Sequence, residues 1–116
     1  MNKKQLEKLK NYIIENDGAT ISPTGELQSL QTGFMVSLSG YEKIYKDIKF
    51  IDLKMIKSYL RIAKSKNAFV GFWVSDKKIY IDLSINVIEK CEALELAKQN
   101  NQLAIFDCLN LKEIRL

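Results

Sequence analysis

The sequence predicts a single α+β domain covering residues 1–116, with three helices packed mainly on one face of a largely antiparallel sheet of about four or five strands. Three observations predict it. A chain of 116 residues suits one domain and is long enough to bury a core without disulfide or metal staples. Apolar residues recur with a helical period in three stretches and alternate with period two in the others. The clearest alternating stretches are joined by a short polar turn, as adjacent antiparallel strands are.

Gln5 to Asn16 reads as an amphipathic helix. Leu6, Leu9 and Ile13 lie on one face with Tyr12, and Lys3, Lys4, Glu7, Lys8, Lys10 and Glu15 supply the polar side. Asn16-Asp17-Gly18 stops it, with Gly18 as the residue suited to a left-handed backbone. Ala19 to Ser22 is a short strand. Ser22 to Thr32 holds the only proline and has no period, which marks a loop. Between Gly33 and Gly40, Phe34, Val36 and Leu38 alternate with Met35, Ser37 and Ser39, as in a half-buried strand.

Tyr41 to Ile51 fits either a loose strand or the start of a helix. From Asp52 to Lys66 the helical period is clear: Leu53, Ile56, Leu60 and Ala63 form a stripe widened by Met55 and Tyr59. Asp52 suits the N-cap and Asn67 the close.

Ala68 to Leu83, AFVGFWVSDKKIYIDL, is the central hairpin, turning at Ser75 to Lys78. A hairpin alone does not hold in water, so the rest of the chain must pair with it and cover it. Asn86 reads as the cap of a third helix, with Glu89 three residues on and Val87, Cys91, Leu94 and Ala97 on one face. Leu103 to Leu109 is the last strong strand, and Leu111 to Leu116 reads as a short extension or edge strand. The predicted order is αββαββαβ. No repeat or linker divides the chain.

Composition excludes much chemistry. The chain has no histidine, which removes Ser-His-Asp and Cys-His nucleophile systems and histidine-ligated metals. Cys91 and Cys108 belong to no CxxC pair and are expected to be buried, inert thiols. The five glycines are scattered and build no phosphate loop. The expectation is therefore a non-enzymatic protein, without cofactor, metal or catalytic residue. No apolar run approaches the roughly 20 residues of a membrane span. Met1-Asn2-Lys3-Lys4 leads into charged helical sequence and not into an apolar signal core, so the cytoplasm is the expected compartment.

Charge is placed unevenly. Residues 43 to 66 carry eight basic side chains against Asp47 and Asp52, so this segment is at +6 while the rest of the chain sums to −2, giving the net +4. Within its helix, Lys54, Lys57, Arg61 and Lys64 follow at spacings of three, four and three. They form one basic stripe beside the apolar one. Such a stripe is either a solvated helix face whose lysine stems cover the core edge, or a surface suited to an acidic protein or a nucleic-acid backbone. The preponderance of lysine over arginine argues against base-specific readout.

Two further features stand out. Asp82 ends a hairpin strand and Asp107 interrupts an apolar one. Were these strands neighbours, the two carboxylates could face each other near Tyr80, although bonding to backbone amides is the simpler role for each. Phe69 and Trp73 lie on the strand face opposite Val70 and Phe72, with Gly71 between them. Covered, they are core; uncovered, they are anchors for a protein interface, including that of a homodimer.

The stretch FVGFWVSDKKIYIDLS, a following helix with Ala93 and Leu94, NQLAIFD, and GFMVSLSGYE at 33–42 together resemble small uncharacterised proteins encoded by phages and conjugative elements. The shared features are a strand pair ending in Tyr-x-Asp (Tyr80 to Asp82) and a later Ala-Ile-aromatic-Asp strand (Ala104 to Asp107). The resemblance covers about half the chain and implies no activity or active-site residue. It implies a mobile-element setting, in which small accessory proteins dock on other machinery.

Overall fold

A computed structural model describes residues 1–116. The elements are α1 (Lys3–Glu15), β1 (Gly18–Ile21), β2 (Phe34–Ser37), β3 (Lys43–Tyr45), a 3-10 turn (Ile48–Phe50), α2 (Leu53–Lys66), β4 (Phe69–Ser75), β5 (Lys78–Val87), α3 (Lys90–Gln99), β6 (Ala104–Asp107) and β7 (Lys112–Arg115). The domain is α+β with three helices, as predicted, but the sheet has seven strands, not four or five. Its order is β1-β4-β5-β2-β6-β7, with β3 also on β5, and every pairing is antiparallel.

The extra strands fall where the sequence signal is weakest. β3 occupies three residues of the ambiguous 41–51 segment, and β7 (KEIR) is the edge strand that Leu111 to Leu116 offers as one of its two readings. β5 is the spine of the sheet. It pairs with β4 along one side; on the other, residues 79–81 take β3 and residues 84–87 take β2. That second pairing corrects the predicted start of α3. Asn86 lies opposite Met35 in the ladder and caps nothing; Glu89 is the N-cap, with no side-chain cap bond. Strand pairing out to Val87 outcompetes the local capping pattern.

The helix boundaries follow local chemistry. At α1, the Asn2 carboxamide oxygen accepts from the Gln5 backbone N–H at 2.8 Å, and the Gln5 side chain accepts in return from the Asn2 N–H at 2.9 Å. At its other end Asp17, not Gly18, takes the left-handed turn, with φ 54°. Asp52 caps α2 through Met55 N–H at 2.7 Å, and Asn67 closes it at φ 52°. The β4–β5 turn is only Asp76-Lys77, both with positive φ, the twist that two-residue hairpins need.

Alternation decides which sheet face the helices cover. Leu6, Leu9 and Ile13 of α1 and Ile56, Tyr59 and Ala63 of α2 pack on Ile21, Val70, Phe72, Ile79, Ile81 and Leu83. Tyr59 meets Phe72 edge-on, centroids 6.4 Å apart. α3 covers β2 and β6 through a smaller cluster of Val36, Ala93, Ala97 and Ile105. Val36 pairs with Ile85, in line with Leu83 and Ile81, so all three helices lie on one face. The predicted α3 face shifts accordingly: Ala93 and Ala97 are buried, while Cys91 is exposed, against the expectation for that thiol. Cys108 is buried, as expected. No helix is long and apolar enough to cross a membrane.

Candidate functional site

With the helices on one side, the opposite face of the sheet carries no covering helix, and the ladder fixes what stands on it. Trp73 lies opposite Tyr80, Tyr80 opposite Ile44, and Gly71 opposite Asp82 and Thr20. Phe69 pairs with Ser84, and Ser84 with Ser37. Part of this face forms an open cleft of about 510 Å³, whose lining includes Gly71, Trp73, Tyr80, Ile44, Asp82 and Glu42 but not Phe69. That volume is in the range of small-molecule sites.

Asp82 lies on the cleft floor. Its Oδ2 accepts from the Ser37 hydroxyl at 3.0 Å and the Ser84 hydroxyl at 3.2 Å. Its Oδ1 accepts from no other side chain, lies against Gly71 and is not wholly buried. Gly71 permits the arrangement, because a Cβ there would strike Oδ1. Burial pushes the Asp82 carboxyl above its ordinary pKa; the two serine hydroxyls pull it back, and Glu42 adds to the rise. Trp73 is 66% exposed, its ring 6.2 Å from that of Tyr80 at a 45° tilt, and Ile44 is 62% exposed beside them.

The structure keeps the two aspartates apart. β2 lies between β5 and β6, and Asp107 lines up with Phe34 and Val87 on the helix-covered face, away from Asp82. Asp107 instead organises the β6–β7 turn. It accepts from Leu109 N–H (3.0 Å), Asn110 N–H (3.1 Å) and the Asn110 side chain (2.8 Å). The Asn110 side chain, then these amides, hold its carboxyl below the usual range. No three metal-ligating side chains gather anywhere.

The basic stripe forms as the spacing predicts. Lys54, Lys57, Arg61 and Lys64 are all exposed on α2. None has an ion-pair partner: the only salt bridge in the protein joins Arg115 and Glu113. The two acids of the segment are engaged elsewhere, Asp47 with Lys49 N–H and Asp52 with Met55 N–H. Lys57, Arg61 and Lys64 border a groove of about 330 Å³ whose other wall is Pro23, Thr24 and Gly25. No protein-family model, curated protein or solved structure matches this chain.

Of the predicted site residues, the structure gathers the four of α2 on one surface. It sets Trp73 in the cleft and Phe69, half-buried, two residues beyond Gly71 on the same strand face. Sequence spacing alone does not define the cleft. Tyr80 and Asp82 share a face of β5, but Ile44 joins them only through the register of β3, in a segment that fits either strand or helix. The available signal was Gly71 inside an apolar strand, which marks a close approach.

Proposed function

We propose that this is a non-enzymatic interaction protein of a mobile element, which docks on an acidic protein surface through the exposed face of α2. The observation that carries this reading is the unpaired stripe of Lys54, Lys57, Arg61 and Lys64, bordered by the Pro23–Gly25 groove. A helix face whose charges have no internal partner keeps its full field for an outside one and steers encounter with negative surfaces. The mobile-element setting rests on the sequence resemblance.

Docking on a nucleic-acid backbone is the second reading, and one observation favours it. Phe50, 51% exposed, lines a shallow cleft with Lys54 at the start of the stripe, and Lys49 lies over its ring at 5.8 Å. An aromatic beside cations is the usual platform for a stacked base.

The test is charge reversal, Lys57→Glu with Arg61→Glu. Proteins retained from lysate by the wild type and lost by the folded double variant support the acidic-partner reading. Titration with labelled DNA and RNA separates the alternative. Engagement of four phosphates gives a log–log salt slope of roughly −3 to −4, which the double variant reduces. Equal capture by both proteins, with no nucleic-acid binding at low salt, overturns both.

A further inference from the structure

The cleft on the bare sheet face lies on a different surface from the α2 stripe, and its chemistry has the opposite sign. We propose that it binds a small organic ammonium ion, with the charged nitrogen on Asp82 Oδ1 and the apolar body against Trp73, Tyr80 and Ile44.

Three features converge on this ligand. The first is an acceptor without a side-chain donor. Ser37 and Ser84 hold Oδ2 and so fix the carboxylate plane, while Oδ1 accepts from no other side chain. A part-desolvated carboxylate oxygen is satisfied best by a charged N–H donor. The second is the wall. Trp73, largely exposed, and Tyr80 line the same cleft as Asp82, and aromatic faces attract cations as well as apolar groups. The third is size. About 510 Å³ accommodates a small organic molecule.

The local charges agree. Glu42 also lines the cleft and reinforces the negative field at Asp82; its carboxylate accepts from Gly40 N–H at 3.1 Å. Lys43 is the only basic residue of the lining, and it pairs in register with Ile81, on the alternate side from Ile44 and Tyr80. It makes no salt bridge to either acid. Gly71 is part of the device: any side chain there would displace Oδ1. An anionic ligand would meet two carboxylates, so the site discriminates by charge as well as by shape.

The probe is phenethylamine, with phenethyl alcohol as the neutral analogue and 3-phenylpropionate as the anionic one. Binding is read from the emission of Trp73, the chain's single tryptophan, and by calorimetry. The inference expects saturable binding of the amine, about tenfold or more weaker binding of the alcohol, and none of the acid. Asp82→Asn lowers amine affinity about tenfold while leaving affinity for the alcohol unchanged. Trp73→Ala, at an exposed position, lowers amine affinity about three- to fivefold by calorimetry. Glu42→Gln has a smaller effect than Asp82→Asn. Equal binding of amine and alcohol, or an Asp82→Asn protein that binds the amine as well as wild type, overturns the inference. So does sedimentation showing a dimer that occludes Trp73, since a second copy then covers this face.

Discussion

Gly71 and Asp82 face each other across the β4–β5 ladder, and Oδ1 of the aspartate occupies the space that a side chain on the glycine would fill. The pair is therefore coupled, and the coupling is measurable.

Gly71→Ala should destabilise the domain by about 1–3 kcal/mol, the usual range for inserting a methyl into occupied space. In an Asp82→Ala background most of that loss should disappear, because the oxygen it strikes is gone. A double-mutant cycle by urea denaturation checks this. Additive effects would mean that the backbone at Gly71, not the carboxylate, sets the cost.

The pH dependence of Asp82 has a defined sign. Burial raises its folded-state pKa, so the folded protein binds this proton more tightly than the unfolded chain. Between the unfolded and folded values, stability contributed by this group falls as pH rises. Asp82→Asn removes that slope, and its melting temperature at neutral pH should equal or exceed that of wild type. Thermal melts of both proteins from pH 4 to pH 7 test the sign.

Asp107 behaves in the opposite way. Hydrogen bonds from Asn110 and Leu109 favour its charged form and lower its pKa. Its contribution is fully present above the unfolded value and is lost as pH falls through the folded one. Asp107→Ala should therefore lower the melting temperature clearly at pH 7 and little at pH 2, in paired melts.

The two thiols should differ sharply in reactivity. Cys91 is exposed on α3. Cys108 is buried, its pKa raised by burial and then by Asp107, and the Asn86 amide donates to its sulfur at 3.9 Å. A native-state thiol titration should count one fast cysteine per chain, and denaturant should release the second. Cys91→Ser should abolish the fast phase.

Where a residue's role is set by its own neighbours in sequence, it could be read in advance. The apolar faces of α1 and α2, the Asp52 and Asn67 caps, the hairpin and the α2 stripe all follow from spacing. The errors arise where a distant partner decides. Asn86 looks like a helix cap until Met35 pairs with it across 51 residues. Cys91 shares a face with Val87 only while Val87 is read as helical; Val87 belongs to β5, and Ala93, two residues from Cys91 and so nearly opposite it on α3, faces the sheet. Asp82 and Asp107 look like a pair until β2 inserts between their strands. The cleft needs the β3–β5 register, which three residues of mixed polarity do not announce.

The two cores are unequal, and that sets an order of opening. One side of the sheet is held by a cluster of fourteen buried residues; the β2–α3–β6 side is held by four, two of them alanines. Little apolar area resists separation there, and β7 is an edge with no further partner. The β6–β7 ribbon with α3 should therefore open first, and hydrogen exchange should find it less protected than the β4–β5 spine. The α2 stripe sits on the half that stays closed, whereas the Trp73–Asp82 cleft is tied to the weaker half through Ser37 of β2 and through Glu42, which accepts from the Gln102 side chain.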